Sequence, residues 1–139
     1  MQKELRTKAK KLCREYIKLR DCLTSTGTLG HGRCTTCSKI HPINELQQGH
    51  FVHTQSRYIK LTYDERNIHI QCAECNTFKG GNTVEYIKFM YNFYGEEVVN
   101  GLKLDRDRQK QLTFDEYEEI IEDFKKKIET IKKAERMLT

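Results

Sequence analysis

Leu5, Ala9, Leu12, Tyr16, Leu19 and Leu23 recur at steps of four and three, which predicts one amphipathic helix over about residues 2–24. A Gly- and Thr-rich stretch from Thr24 to Gly32 interrupts that rhythm and reads as a hinge. Helical periodicity is then missing until after Cys75. In between, Leu46 to Val52 suits a short strand ending around Gly49-His50-Phe51, and Asn67 to Gln71, with Ile68 and Ile70 alternating with polar neighbours, suits a second. Asn82 followed by Glu85 reads as the start of a helix over Val84 to Tyr94, with Ile87, Met90 and Tyr91 on its apolar side and Gly95 as its stop. Glu96 to Leu104 predicts a short helix, and the charged residues 105–110 a link. Thr113-Phe114-Asp115-Glu116 is a capping box that opens a long helix, whose buried side is marked by Tyr117, Ile120, Ile121, Phe124, Ile128, Ile131 and Leu138. Spacing leaves open whether this helix packs on the N-terminal one or on a second copy of the chain.

The expected fold class is α+β, with a basic helix and linker at 1–33, a small core at 34–95 and a helical arm at 96–139. A chain of 139 residues with 32% charged residues, no Trp and a mean hydropathy of -0.78 has a thin apolar core, one that a metal staple would reinforce. No apolar run approaches the roughly 20 residues of a membrane span, and the N-terminus leads into charge, so the expected setting is soluble and cytoplasmic. The net charge of +5 is uneven. Residues 1–33 hold nine Lys and Arg against three acids, while residues 95–139 hold ten against twelve. Lys3, Lys8, Lys10, Lys11, Arg14 and Lys18 thus form either a phosphate-binding arm or a solvated helix face.

Cys34 and Cys37, then Cys72 and Cys75, are two Cys-x-x-Cys pairs with 34 residues between them. Four thiolates in that spacing suit one tetrahedral Zn²⁺ and leave no open position for water, so the zinc is expected to be structural. Cys13 and Cys22 are expected as buried or idle thiols. The zinc would close the loop that carries His50 and Asn67, and Asn76 follows the second pair directly.

Gly49-His50-Phe51, the run from Glu65 to Asn76, Lys79-Gly80-Gly81-Asn82 and Tyr86 closely resemble the bacteriophage NinG/Rap recombination endonucleases. The likeness extends from the Tyr16-Ile17 helix to Gly95-Glu96. Asn67-x4-Cys72-x2-Cys75-Asn76 also looks like the HNH, or ββα-metal, nuclease pattern with asparagine in the last place. The resemblance implies a zinc-stapled HNH-like core in which His50 is the general base, Asn67 holds His50 or tethers the loop, and Asn76 gives an oxygen to catalytic Mg²⁺ or Mn²⁺. It also implies a substrate of branched DNA, such as Holliday junctions or D-loops, and a bacterial host cell as the setting. Lys79 beside its glycines and Arg57 in the loop before the second strand are expected phosphate contacts. Many HNH sites place a metal ligand just before the histidine, where this chain has Gly49. Glu45, Gln47, His53 and His69 are the candidate substitutes, His69 first because it shares a strand with Asn67; a phosphate-touching surface role is the other expectation for His69. Pairing of two copies through the helical arms would suit symmetric cutting. Two other functions fit the same residues: a non-catalytic zinc-ribbon DNA-binding protein, and an HNH nicking enzyme acting on ordinary duplex.

Overall fold

The computed structural model describes residues 2–138. It is a mixed α+β fold of four helices and two small antiparallel sheets. Helix α1 (Gln2–Thr26) leads into a hairpin of β1 (His31–Arg33) and β2 (Ile40–Pro42), whose turn carries Cys34 and Cys37. A second hairpin pairs β3 (Leu46–His50) with β4 (Ile68–Cys72), in a register that sets Gly49 opposite His69 and Gln47 opposite Gln71. Only short 3-10 turns break the long loop between them. A single π-helical turn at Glu74–Phe78 follows, then α2 (Thr83–Tyr94), α3 (Glu96–Arg108) and α4 (Phe114–Leu138).

The two long helices pack on each other within one chain. Tyr16 of α1 meets Phe124 of α4 with ring centroids 5.7 Å apart, and Lys132 Nζ lies 3.0 Å from Glu15 Oε1. One core joins Ala9, Cys13, Ile17 and Cys22 of α1 to Leu46, Ile68 and Ile70 of the second hairpin and to Tyr117, Ile121 and Phe124 of α4. The buried residues of α1 are Ala9, Cys13, Ile17, Leu19 and Cys22, with Leu5, Leu12 and Tyr16 of the expected stripe packed against the same core and Leu23 exposed. Two elements cover this helix, so its buried surface is broader than a single stripe, and small thiols serve as apolar filling. Burial holds Cys13 and Cys22 protonated, with their pKa values raised to about 12 and about 11.

Several expected boundaries shift for local reasons. The Thr24–Gly32 stretch is pinned and does not hinge: Thr26 Oγ1 donates to the His31 carbonyl at 2.7 Å, and Ser25 Oγ accepts from Arg33 N at 3.0 Å. Asn82 precedes α2 at φ +49° and does not cap it; its Nδ2 points to Cys75 Sγ at 3.6 Å. Ile87 and Tyr91 are each 37% exposed, and Tyr86 with Met90 forms the buried side of α2. Gly95, at φ +90°, ends α2 as expected, but α3 continues through the charged residues to Arg108. The capping box of α4 forms in full, with Thr113 N donating to Glu116 Oε1 at 3.0 Å and Glu116 N donating to Thr113 Oγ1 at 3.2 Å.

Candidate functional site

The two Cys-x-x-Cys turns converge. Cys34, Cys37, Cys72 and Cys75 place their four sulfurs within 4.8 Å of one another, with Cys37 Sγ 3.7 Å from Cys72 Sγ. Sulfurs at roughly 2.3 Å from a tetrahedral zinc are about 3.8 Å apart, so the cluster is sized to hold a zinc ion. Polar groups also approach the thiolates, the Thr36 hydroxyl at 3.5 Å from Cys34 Sγ and the Asn82 amide at Cys75. Hydrogen bonds of this kind orient metal ligands and support their negative charge. The cluster ties β1–β2 to the end of β4 and so fixes where the π-helical turn begins.

The edges of the second hairpin differ. On β4, Ile70 N donates to Asp21 Oδ2 at 2.9 Å, and the Ile70 carbonyl accepts from Thr35 N at 3.0 Å. Arg20, paired with Asp21, donates to the carbonyls of Glu65 and Ile68 at 2.8 and 2.6 Å. Ile70 is thus a pair with Gln48 in which the backbone bonds point outward, and on Gln48 those groups take no partner among the described residues. Strand β3 therefore presents an open edge, whereas β4 is closed by α1.

His50 ends β3, half-buried. Its Nε2 lies 2.9 Å from the Thr62 carbonyl, which can only accept, so the proton sits on Nε2 and the lone pair on Nδ1. Burial, with smaller contributions from His53 and Lys10, pushes its pKa below the ordinary imidazole value, outweighing the Thr62 hydrogen bond. The ring is neutral near pH 7 and held by the backbone, and its Nδ1 has no hydrogen-bond partner among the described residues. Asn67 is fully buried and ties the same loop from within: its Oδ1 accepts from Val52 N at 2.8 Å, and its Nδ2 donates to the Val52 carbonyl at 2.9 Å. Of the two expected roles for Asn67, the loop tether is the one formed.

Asn76 lies on the π-helical turn and donates from Nδ2 to Gln47 Oε1 at 2.8 Å, an oxygen that Thr77 also reaches at 3.1 Å. Asn76 is therefore anchored to β3 three residues before His50, roughly 10 Å along the strand. The pleat turns Gln47 toward α2 and His50 toward α1, so the imidazole and the anchored carboxamide flank β3 from its two sides. Among the described residues the four cysteines are the only group of three or more His, Cys, Asp or Glu ligands that converge, and Asn76 is not part of such a group. The residues present fit a divalent cation only in so far as Asn76 Oδ1 supplies one oxygen and substrate and water supply the others.

Gly49 has a structural reason. A Cβ there would stand 1.9 Å from Gln71 Oε1, so the Gln71 side chain occupies the space that a residue at 49 would need. Gln71 donates to the Gly81 carbonyl at 2.8 Å and to Thr36 Oγ1 at 3.0 Å, while its Oε1 is buried without a partner. A buried glutamine in an apolar strand, opposite Gln47 and diagonal to a glycine, was the available sequence signal for this arrangement.

His69 is neither a metal ligand nor a phosphate contact. It is 4% exposed, with Nδ1 3.2 Å from the Tyr86 hydroxyl and Nε2 2.8 Å from that of Tyr94. Because Tyr86 donates its own proton to the Gly49 carbonyl at 2.7 Å, His69 Nδ1 must donate to Tyr86 and Nε2 must accept from Tyr94. Burial, helped by Arg20, lowers its pKa to about 3. Arg57 is also committed elsewhere: its guanidinium donates to the carbonyls of Arg106 and Gln109, capping the end of α3. Lys79 is exposed, 4.0 Å from Glu74, and could reach a phosphate. Glu45 and His53 are exposed and belong to no metal-binding group among the described residues.

Among known proteins, the chain is 34% identical over 77 residues to Protein ninG of Escherichia phage 933W, covering 55% of this chain and 37% of that protein. It is 39% identical over 62 residues to Protein ninG of Enterobacteria phage H19B, covering 45% and 30%. The match to Protein ninG of Escherichia phage lambda is 28% over 101 residues, covering 73% of this chain and 48% of that protein. The chain thus spans less than half the length of each of these relatives. No solved structure matches it. Residues 1–135 match the family described as Bacteriophage Lambda NinG protein, and the chain belongs to that family.

Proposed function

We propose that the protein is a metal-dependent DNA endonuclease built on a zinc-stapled ββα unit, β3–β4–α2, and that its substrates are branched recombination intermediates such as Holliday junctions or D-loops. The observation that carries the reading is His50, a neutral imidazole at a strand end whose Nε2–H is spent on a backbone carbonyl and whose Nδ1 has no hydrogen-bond partner among the described residues. That is the state a general base needs. A water at the open edge of β3 would give its proton to Nδ1 as its oxygen bonds to phosphorus and the phosphorus–oxygen bond to the leaving strand breaks. Asn67 would keep the ring in place by holding the loop that presents the Thr62 carbonyl. A divalent cation, Mg²⁺ or Mn²⁺, held by Asn76, water and the scissile phosphate, would supply charge for the leaving oxygen. Lys79 would contact a neighbouring phosphate. Branch preference rests on the family resemblance.

A non-catalytic zinc module for DNA is the second reading, favoured by one observation: His50 and Asn76 lie on opposite sides of β3. Incubating four-way junctions and linear duplex with intact protein and His50→Ala in Mg²⁺ decides between them. Metal-dependent cleavage of the junction that His50→Ala loses supports the nuclease; binding without cleavage by either protein supports the module. Equal cutting of linear duplex would replace branch specificity by ordinary nicking.

A further inference from the structure

Helix α1 packs on the second hairpin, closing the outer edge of β4 through Asp21, and its basic positions come beside β3. Lys10, Arg14 and Lys18 follow one another at i, i+4 and i+8, so consecutive positions share a face and advance about 6 Å along the axis. Arg14 and Lys18 line a groove of about 610 Å³ together with Asn44, Leu46, Gln47 and Gln48. Lys10 stands at the other end, near enough to act on His50, with its Nζ 4.8 Å from the Tyr58 ring centroid and Arg6 on the same ring at 4.3 Å. None of Lys10, Arg14 and Lys18 is in an ion pair among the described residues, although α1 also carries Glu4, Glu15 and Asp21. Asp21 is taken by Arg20 and Glu15 by Lys132. Lys18 is half-buried, and its pKa is lowered by that burial and then by the charge of Arg14. Like charges left side by side without a counter-ion, next to open backbone, make a surface that favours an incoming anion.

From this juxtaposition we infer that Lys10, Arg14 and Lys18 form a phosphate track that lays a DNA strand along the edge of β3, from Gln47 at one end to His50 at the other. Three cations spaced about 6 Å apart are suited to about three phosphates of one strand. The inference takes the identity of its anion from the DNA-acting reading above, but it concerns binding and not turnover.

The test is the salt dependence of binding, measured by fluorescence anisotropy on a four-way junction and on linear duplex without added divalent cation, so that cleavage plays no part. The variant Lys10→Gln/Arg14→Gln/Lys18→Gln is compared with the intact chain and with a control of equal charge change, Lys110→Gln/Lys126→Gln/Lys133→Gln. The expected result is a log–log salt slope shallower by about 2 to 3 for the track variant, near 0.9 per phosphate contact, with the control close to the intact chain. A track variant indistinguishable from the control overturns the inference. The double variant Lys10→Gln/Arg14→Gln changes only exposed positions and keeps good helix formers, and it should lose about 2 from the slope. Zinc content and thermal unfolding verify that each variant is folded. If the slope falls yet the intact protein never cuts DNA, the track stands and the nuclease reading fails; if the protein cuts while the slope is unchanged, the reverse holds.

Discussion

His50 and His69 occupy the two strands of one hairpin, adjacent in register, and have opposite environments. His69 faces α2, where Tyr86 and Tyr94 use both ring nitrogens and Phe89 packs against it with centroids 4.9 Å apart. His50 faces α1, where one nitrogen is fixed by a carbonyl and the other has no partner among the described residues. Both are kept neutral by burial, so a depressed pKa alone does not identify a working histidine. What separates them is the uncommitted lone pair on His50 and the open strand edge beside it.

The largest effect tests what holds both histidines in place. Structural zinc contributes on the order of 10 to 16 kcal/mol of apparent stability in small zinc-dependent folds, comparable with the roughly 5 to 15 kcal/mol total of a domain. Cys72→Ser, or removal of the metal by a chelator, should therefore abolish cooperative unfolding by circular dichroism, with zinc content falling from one ion per chain to none. Retention of a sharp transition in the stripped protein would show that the cysteines are dispensable.

The next effects set the histidines against each other. His50→Ala should lower the cleavage rate about 10²- to 10⁴-fold, the usual contribution of a general base, while shifting thermal stability little. His69→Ala should do the reverse, costing about 2 to 4 kcal/mol through a cavity and two orphaned tyrosine hydroxyls, as read by denaturant melts. If His69→Ala unfolds no more easily than His50→Ala, the assigned environments are wrong.

Acid should also distinguish them. In the folded state His69 resists protonation down to about 3, whereas the unfolded chain takes up a proton near 6.5. Its contribution is thus fully present above pH 6.5 and declines as pH falls toward 3, because the unfolded state binds the extra proton in that window. In His69→Leu the loss of stability between pH 6.5 and 4 should be visibly shallower in urea titrations. The smallest effect lies far from both rings: Thr113→Ala removes the cap of α4 and should cost about 1 kcal/mol in the same titrations, without changing DNA cleavage.

The parts of this arrangement written in short-range pattern were legible. Cys-x-x-Cys spacing picked out the four cysteines that converge and could hold zinc, Ile68 and Ile70 marked β4, and Thr113 with Glu116 marked the start of α4. What depends on distant partners was not. The tyrosines that enclose His69 lie 17 and 25 residues further along, and the carbonyls that engage Arg57 lie 49 and 52 residues away. A charged or aromatic residue carries no local mark of such a partner. The breadth of the buried face of α1, which adds Cys13, Ile17 and Cys22 to the expected stripe, was not legible because periodicity reports one apolar stripe, whereas this helix is covered by α4 on one side and by the hairpins on another. The strand face on which Asn76 is anchored was not legible either, because family order gives sequence separation and the pleat of β3 sets which side each residue reaches.

The most direct test is the rate of four-way junction cleavage in Mg²⁺ for intact protein, His50→Ala and His69→Gln, each verified as folded and zinc-loaded. Catalysis by His50 requires cutting by the intact chain, loss of at least about 100-fold in His50→Ala, and substantial retention in His69→Gln. Equal cutting by intact protein and His50→Ala, or no cutting by either, would contradict it.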